Sequence, residues 1–162
     1  MSTILAPAPG AYVQHGSLRV PVQGEAAFET AEKYLRRDPV MDAIFNRAEH
    51  GTRELTLSIN SRNNDSFDPN TGTVHWDPYS ALRTTLGGTQ TPALGLGHEL
   101  DHATVDPALG ARLSAKFDAS YDNAEERRVI TGSETHAAKT LGEGLRTDHD
   151  GTTYHVHSPT ER

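Results

Sequence analysis

GLGHELDHATVD (residues 95–106) holds two histidines four positions apart, with a glutamate directly after the first. On an α-helix, at about 100° per residue, His98 and His102 lie about 40° apart, one turn above the other. Ala93, Leu96, Leu100 and Ala103 fall near the opposite side. Such a helix has an apolar back for a core and an imidazole face turned away from it. Thr91-Pro92 supplies an N-cap and a first-turn proline. Glu99 projects beside the histidines, where it can reach a water without itself being a ligand. These are the needs of zinc-assisted hydrolysis. Two neutral imidazoles hold one zinc ion, a third protein ligand completes the set, and the fourth position keeps water. The metal polarises the scissile carbonyl, while Glu99, as general base, takes the water's proton and returns it to the leaving amine.

Gly95 and Gly97 fit the same picture, because each costs a helix roughly 0.5–1 kcal/mol relative to alanine. Gly95 falls on the metal side, where a missing side chain leaves room for a substrate or a strand. Close helix packing is the competing explanation for both.

The remaining composition narrows the field. A chain of 162 residues suits one domain with one core, and with 35% apolar and 6% aromatic residues that core is lean. A net charge of −7 argues against a sequence-independent nucleic-acid binder and against docking on an anionic membrane. No cysteine is present, so disulfides, thiolate zinc clusters and cysteine nucleophiles are excluded. The N-terminal MSTILAPAPGAYVQHG lacks a basic region and an adequate apolar run, so it does not read as a signal peptide. A soluble protein is expected, exported only by another route.

Periodicity gives an α+β fold. Residues 1–24, rich in Pro, Gly and small residues, read as an extended arm or linker with a short strand at Leu18–Val22. Residues 25–162 form the catalytic domain. It opens with a helix over Glu25–Arg37, and Pro39 stops that helix and starts another through Met41, Ile44 and Phe45. Leu55, Leu57 and Ile59 alternate with polar residues as a half-buried strand does. SRNNDSFDPNTG is turn chemistry, and Thr73–Asp77 is a returning strand. Residues 79–90 read as a polar loop before the histidine helix. Helices follow around 107–118, from an Asp122 or Asn123 cap through Ile130, and from a Ser133 cap to Gly142. GTTYHVHSP closes the chain as a final strand.

Without cysteine, the third ligand must be a carboxylate or a histidine. The downstream stretch offers Glu125, Glu126, Glu134, His136, Asp148 and His149. Glu125 and Glu126 point about 100° apart, so only one can face the metal. If Val129 and Ile130 mark the buried side, Glu126 points inward one turn before them. A solvated E-E-R-R first turn, favourable to the helix dipole, is the plainer alternative.

The pieces GHELDHA, NAEERRVITGSETHAAKTLGEGLRTDH and the V-x-W-D-P of Val74–Pro78 together resemble effector metallopeptidases of the NleD type. The combination is most similar to toxin domains at the C-termini of type VI secretion spike (VgrG) and Rhs proteins. It spans roughly residues 55 to 156. The resemblance implies a zincin-like fold with a small twisted sheet against the active-site helix, zinc peptidase activity, and delivery into a target cell. It also implies that a glutamate of the EER segment is the third ligand, favouring Glu126 over Glu134 and leaving Glu125 open. A protein or peptide substrate, a cognate immunity protein and a spike or Rhs carrier would be the partners.

Further candidates follow from zincin chemistry. Thr73–Asp77, carrying His75 and Trp76, is the candidate edge strand that pairs with substrate, although Trp76 could equally pack the core. His149, with Tyr154 and His155 behind it, could donate a hydrogen bond to the oxyanion. Asp101 could orient a metal ligand from behind. A zinc amidase acting on cell-wall peptides shares this metal chemistry, and a module with a purely structural zinc shares the histidines.

Overall fold

Strand alternation and one tight turn build the main sheet. The computed structural model describes residues 10–162. β1 (Tyr12–His15) and β2 (Leu18–Pro21) form a hairpin, followed in the chain by β3 (Leu55–Ile59), β4 (Ser66–Asp68) and β5 (Thr73–Trp76). Their spatial order is β1-β2-β3-β5-β4, with parallel pairs β2–β3 and β3–β5 inside and antiparallel pairs at both ends. Alternate residues Leu18, Val20, Leu55, Leu57, Val74 and Trp76 are buried and form the sheet's share of the core.

The expected arm over 1–24 is therefore corrected for the described residues. From Tyr12 the chain is part of the sheet, because Leu18 and Val20 are fully buried and Leu18 pairs with Leu55. Val22–Gly24 form a short 3-10 turn, and residues 1–9 of that arm lie outside the described residues. Gly16 makes the hairpin possible. Its φ is +62°, and a Cβ there would sit 1.9 Å from the carbonyl oxygen of Glu49. Ser17 N donates to that same oxygen at 2.8 Å, and Leu55 N donates to Ser17 O at 2.9 Å.

Three helices supply the other half of the core. α1 (Glu25–Leu35) buries Phe28, Ala31 and Leu35, and α2 (Pro39–His50) buries Met41, Ile44, Phe45 and Ala48. α3 (Pro92–Thr104) packs against both and against β5, and Thr91 caps it as expected. Gly97 permits that packing: a Cβ there would meet Met41 Sδ at 2.6 Å. Close helix packing is thus the reason for this glycine.

The loop expected over residues 79–90 is instead a hairpin, β6 (Ser80–Arg83) and β7 (Thr89–Gln90), turned at Gly87 with φ +89°. α4 (Pro107–Ser114), a short pair β8 (Phe117–Asp118) and β9 (Asp122–Asn123), and α5 (Ala124–Val129) follow. α5 runs through a π-helical turn, Ile130–Glu134, into α6 (Thr135–Leu141). Ser133 is therefore no cap: it is buried and donates its hydroxyl to Asp101. The final strand β10 (Thr152–His155) forms where it was expected and pairs antiparallel with β6. The architecture is α+β, and no helix among the described residues is long and apolar enough to cross a membrane.

Gly16→Ala puts a Cβ into backbone and forces a left-handed conformation on alanine. It is expected to cost about 2–4 kcal/mol, read as a lower denaturant midpoint. An unchanged midpoint would mean that the Gly16 turn contributes little to stability.

Candidate metal centre

α3 and α5 approach each other so that four side-chain tips meet. The Thr91 hydroxyl accepts from Leu94 N and caps α3, and the Asn123 carboxamide oxygen accepts from Glu126 N and caps α5. His98 Nε2 lies 2.9 Å from Glu126 Oε2, and His102 Nε2 lies 3.1 Å from Glu126 Oε1. The two histidine Nε2 atoms are 3.0 Å apart. His149 Nε2 comes within 3.4 Å of Glu126 Oε2, and a Glu99 oxygen stands 3.8 Å from His98 Nε2.

Each of these imidazoles is gripped from behind at Nδ1. His98 meets Glu134 at 2.8 Å, His102 meets Glu125 at 2.7 Å, and His149 meets Asp122. The carboxylates are anchored in turn. Arg146 donates to Glu134 through Nη2 at 2.6 Å and Nε at 3.0 Å. Arg128 binds Glu125 through Nε and Nη2 and reaches Asp101 at 2.9 Å through Nη1. A carboxylate at Nδ1 fixes the tautomer, so that each ring turns an Nε2 lone pair inward.

That donor set fits a divalent cation. Two buried Nε2 lone pairs 3.0 Å apart and facing a carboxylate repel one another unless a proton or a metal stands among them. Imidazole and carboxylate are ordinary zinc ligands. Without a metal, protons take that place. Burial alone would lower both histidines, but Glu99, Glu126 and Glu134 around His98 outweigh it and hold that ring well above its usual 6.5. His102 is likewise pulled by its burial but raised to about 9 through Glu125 and Glu126. Burial pushes Glu126 up, yet the two histidines hold it far below the usual carboxylate range. Glu99 is raised, first by burial.

The structure brings together most of the residues singled out in the sequence. Glu126, rather than Glu125 or Glu134, faces both Nε2 atoms, and the other two glutamates orient the rings. Asp101 stands one step further back, holding Arg128 and Ser133. Asp148 accepts from Thr85 outside the cluster, and His136 pairs with Asp38. Tyr154 and His155 line no part of the cleft.

Trp76 and His75 are not brought to it either, which corrects the expected substrate strand. β5 lies between β3 and β4, and Trp76 is fully buried, its Nε1 donating to Pro92 O at 2.8 Å. The sheet edge nearest α3 is β4, hidden in the sequence inside a run of turn-forming residues. Just before it, Asp65 explains Gly95: a Cβ on Gly95 would lie 2.5 Å from Asp65 Oδ2. Burial raises the Asp65 carboxyl to about 7, although Asp77 N donates to it.

Around the centre runs a trough of two pockets. One, of about 360 Å³, is lined by Phe67, Pro69, Val105, Pro107, Ala111 and His102 among others. The second, of about 150 Å³, is polar, with Asn63, Ser80, Gln90, Arg146 and Thr153. A larger groove of about 520 Å³ between the C-terminal ends of α2 and α3 adjoins the first pocket at Arg53, Val105 and Pro107 and holds none of the converging side chains.

Compared with family models, with curated proteins and with solved structures, the chain matches none. The site must therefore be read from its own geometry. Sequence inspection passed over Arg128, Arg146 and Asp122 as anchors. Arg146 stands in the R-x-D-H run and Arg128 in the E-E-R-R turn, and Asp122 read as a possible helix cap, but none of these signals points to an anchoring role.

Because His102 is raised in the folded state, its proton stabilises the metal-free fold in full below about pH 6.5. That contribution, at most about 3 kcal/mol, is lost as pH rises through about 9. Denaturant midpoints of chelator-treated protein between pH 6 and 9.5 should fall across this window. A flat profile would mean that the histidines are not under this electrostatic load.

Proposed function

We propose that this chain is a zinc-dependent endopeptidase of zincin-like build. One ion would be held by His98 Nε2, His102 Nε2 and a carboxylate oxygen of Glu126. The observation that carries this reading is the convergence of those three donors beside a buried glutamate that is not one of them. Bound there, zinc would supply Lewis-acid polarisation of a carbonyl and a lowered pKa for the attacking water.

The chain's own groups do the rest. Glu99, desolvated and raised as a base, accepts the proton of the attacking water on a carboxylate oxygen. It then delivers that proton to the nitrogen of the leaving amine. Glu125 and Glu134 keep the two imidazoles from rotating. His149, whose Nδ1 rests on Asp122, could donate an Nε2–H to the oxyanion of the tetrahedral adduct only in its imidazolium form, since the neutral ring held this way presents a lone pair there. Among the described residues β4 has no partner on its outer side, and an extended peptide can add there as a strand. This edge replaces the Thr73–Asp77 strand in that role.

The same motifs support a biological setting. The likeness of GHELDHA, the EER segment and R-x-D-H to effector peptidases suggests a bacterial toxin delivered into a target cell. A spike or Rhs carrier and a neutralising immunity protein would then be its partners. Cleavage of cell-wall peptides by the same chemistry is separated from this by digesting protein and peptidoglycan fragments side by side and reading both by mass spectrometry.

Two outcomes are expected. Glu99→Gln should keep one zinc per chain and an unchanged melting temperature, yet lose hydrolysis by at least about 10²-fold; persistent hydrolysis would refute the general-base role. Glu134→Gln should retain hydrolysis at saturating zinc while weakening zinc affinity about 10–100-fold, measured by competition with a chelating dye. Equal affinity would deny Glu134 its orienting role.

A further inference from the structure

His149 differs from the other two histidines in how firmly it is held, although it is aimed in the same way. Its Nε2 is 3.4 Å from Glu126 Oε2, close to the 2.9 Å and 3.1 Å that His98 and His102 keep from the same carboxylate. Its Nδ1 rests on a carboxylate, as theirs do. Its ring lies 14° from parallel to that of His98, with centroids 6.3 Å apart. In short, a third imidazole presents its Nε2 to the point where a metal would sit.

The anchoring is unequal. The carboxylates behind His98 and His102 are only 2% and 5% exposed and are each locked by an arginine, whereas Asp122 behind His149 is 67% exposed. His98 and His102 stand on α3. His149 stands on the segment between α6 and β10, tied down by its own N–H to Ser120 O and by Asp148 to Thr85. Asp122 itself holds a left-handed φ of +70°. His149 is thus the one donor of the set that can leave without unpacking the core.

Its position makes leaving matter. Asp65, Glu99 and His149 are the residues shared by the two pockets of the trough. An extended peptide crossing from one pocket to the other must pass the place where the His149 ring stands. Glu99 is buried and Asp65 half-buried, the latter held by Asp77 N, so the ring is the part of the barrier that can move.

We infer that His149 is a fourth, displaceable metal ligand: in the resting protein it closes the coordination of the ion held by His98, His102 and Glu126, and an incoming peptide pushes it aside. This inference rests on the metallopeptidase reading above and adds to it a resting state with no open position. A three-imidazole, one-carboxylate shell is chemically ordinary for zinc. Once displaced, the ring could serve the oxyanion only after gaining a proton at Nε2.

X-ray absorption on the full chain loaded with one zinc counts the imidazoles directly. Three are expected for the wild type at rest, two for His149→Ala, and two for the wild type with a peptide hydroxamate bound. Zinc dissociation constants should rise at least about tenfold in His149→Ala, since even residues that merely orient ligands are worth 10–100-fold. His149 is partly exposed and outside the core, and unchanged circular dichroism of the variant confirms that the comparison is between folded proteins. Two imidazoles in the resting wild type would overturn the inference while leaving the peptidase reading intact. So would three imidazoles that persist with hydroxamate bound. No zinc uptake by the wild type would instead overturn the peptidase reading itself.

Discussion

The centre depends on one repeated interaction, a carboxylate gripping the Nδ1 of a histidine. Without it an imidazole on a helix has two equivalent nitrogens and a free ring flip, and two such rings a turn apart need not agree on direction. Glu134 and Glu125 remove that freedom, and Arg146 and Arg128 remove the freedom of the glutamates. Such chains of charge-assisted bonds are strong individually and stiff collectively. They turn two largely buried histidines into a preorganised donor set.

Much of the fold exists to bring those carboxylates to α3. α5 meets α3 with two adjacent glutamates about 100° apart, and one takes the inner Nε2 side while the other takes the Nδ1 side of His102. Glu134 must come back to His98 eight residues later, more than two helical turns on. An undisturbed α-helix would spread these side chains over its surface. The π-helical turn at Ile130–Glu134 inserts the extra residue that swings Glu134 inward, a use to which such turns are often put. Gly95 does the corresponding job on α3, since only a bare Cα lets the Asp65 carboxylate lie against the helix.

What was legible in the sequence divides along the same lines. Regular periodicity located α1, α2, α3 and β3, and capping chemistry placed the start of α3 at Pro92, because these signals are local. Glu126 was reached by treating Val129 and Ile130 as the buried side, and both are indeed fully buried. That reasoning was incomplete, since Glu125 is the more buried of the pair. It too points into protein, toward a histidine's other nitrogen. The π-turn was missed because Ser133 resembles a cap until Asp101 is known to accept its proton. β4 was missed because Ser66-Phe67-Asp68 is too short and too polar to alternate visibly, and the hairpin at residues 80–90 for a similar reason. Trp76 was ambiguous from sequence alone because strand order, which puts β5 inside the sheet, is a non-local property. The hairpin before residue 24 shows the same limit in part: the strand expected at Leu18–Val22 forms as β2, whereas β1 and the pairing of β2 with β3 were not legible.

Charge is the feature of this cluster that best supports the proposed cation. Glu99, Asp101, Glu125, Glu126 and Glu134 stand around the histidines, and only Arg128 and Arg146 oppose them with permanent charge. Most of these groups are almost fully buried, and an uncompensated buried charge costs several kcal/mol. A core of this size gains more from leucine at the same positions, because replacing buried ion networks by apolar residues is often neutral or favourable. Protons on His98 and His102 offset the excess when no ion is present, which is why both are held above their usual range. They do so poorly, because each proton is shared along one axis while the donors converge on a point. A divalent cation at that point satisfies all of the inward lone pairs at once and balances the carboxylates without occupying either Nδ1. The proposed metal would therefore resolve a charge imbalance that protons on the two rings meet only in part.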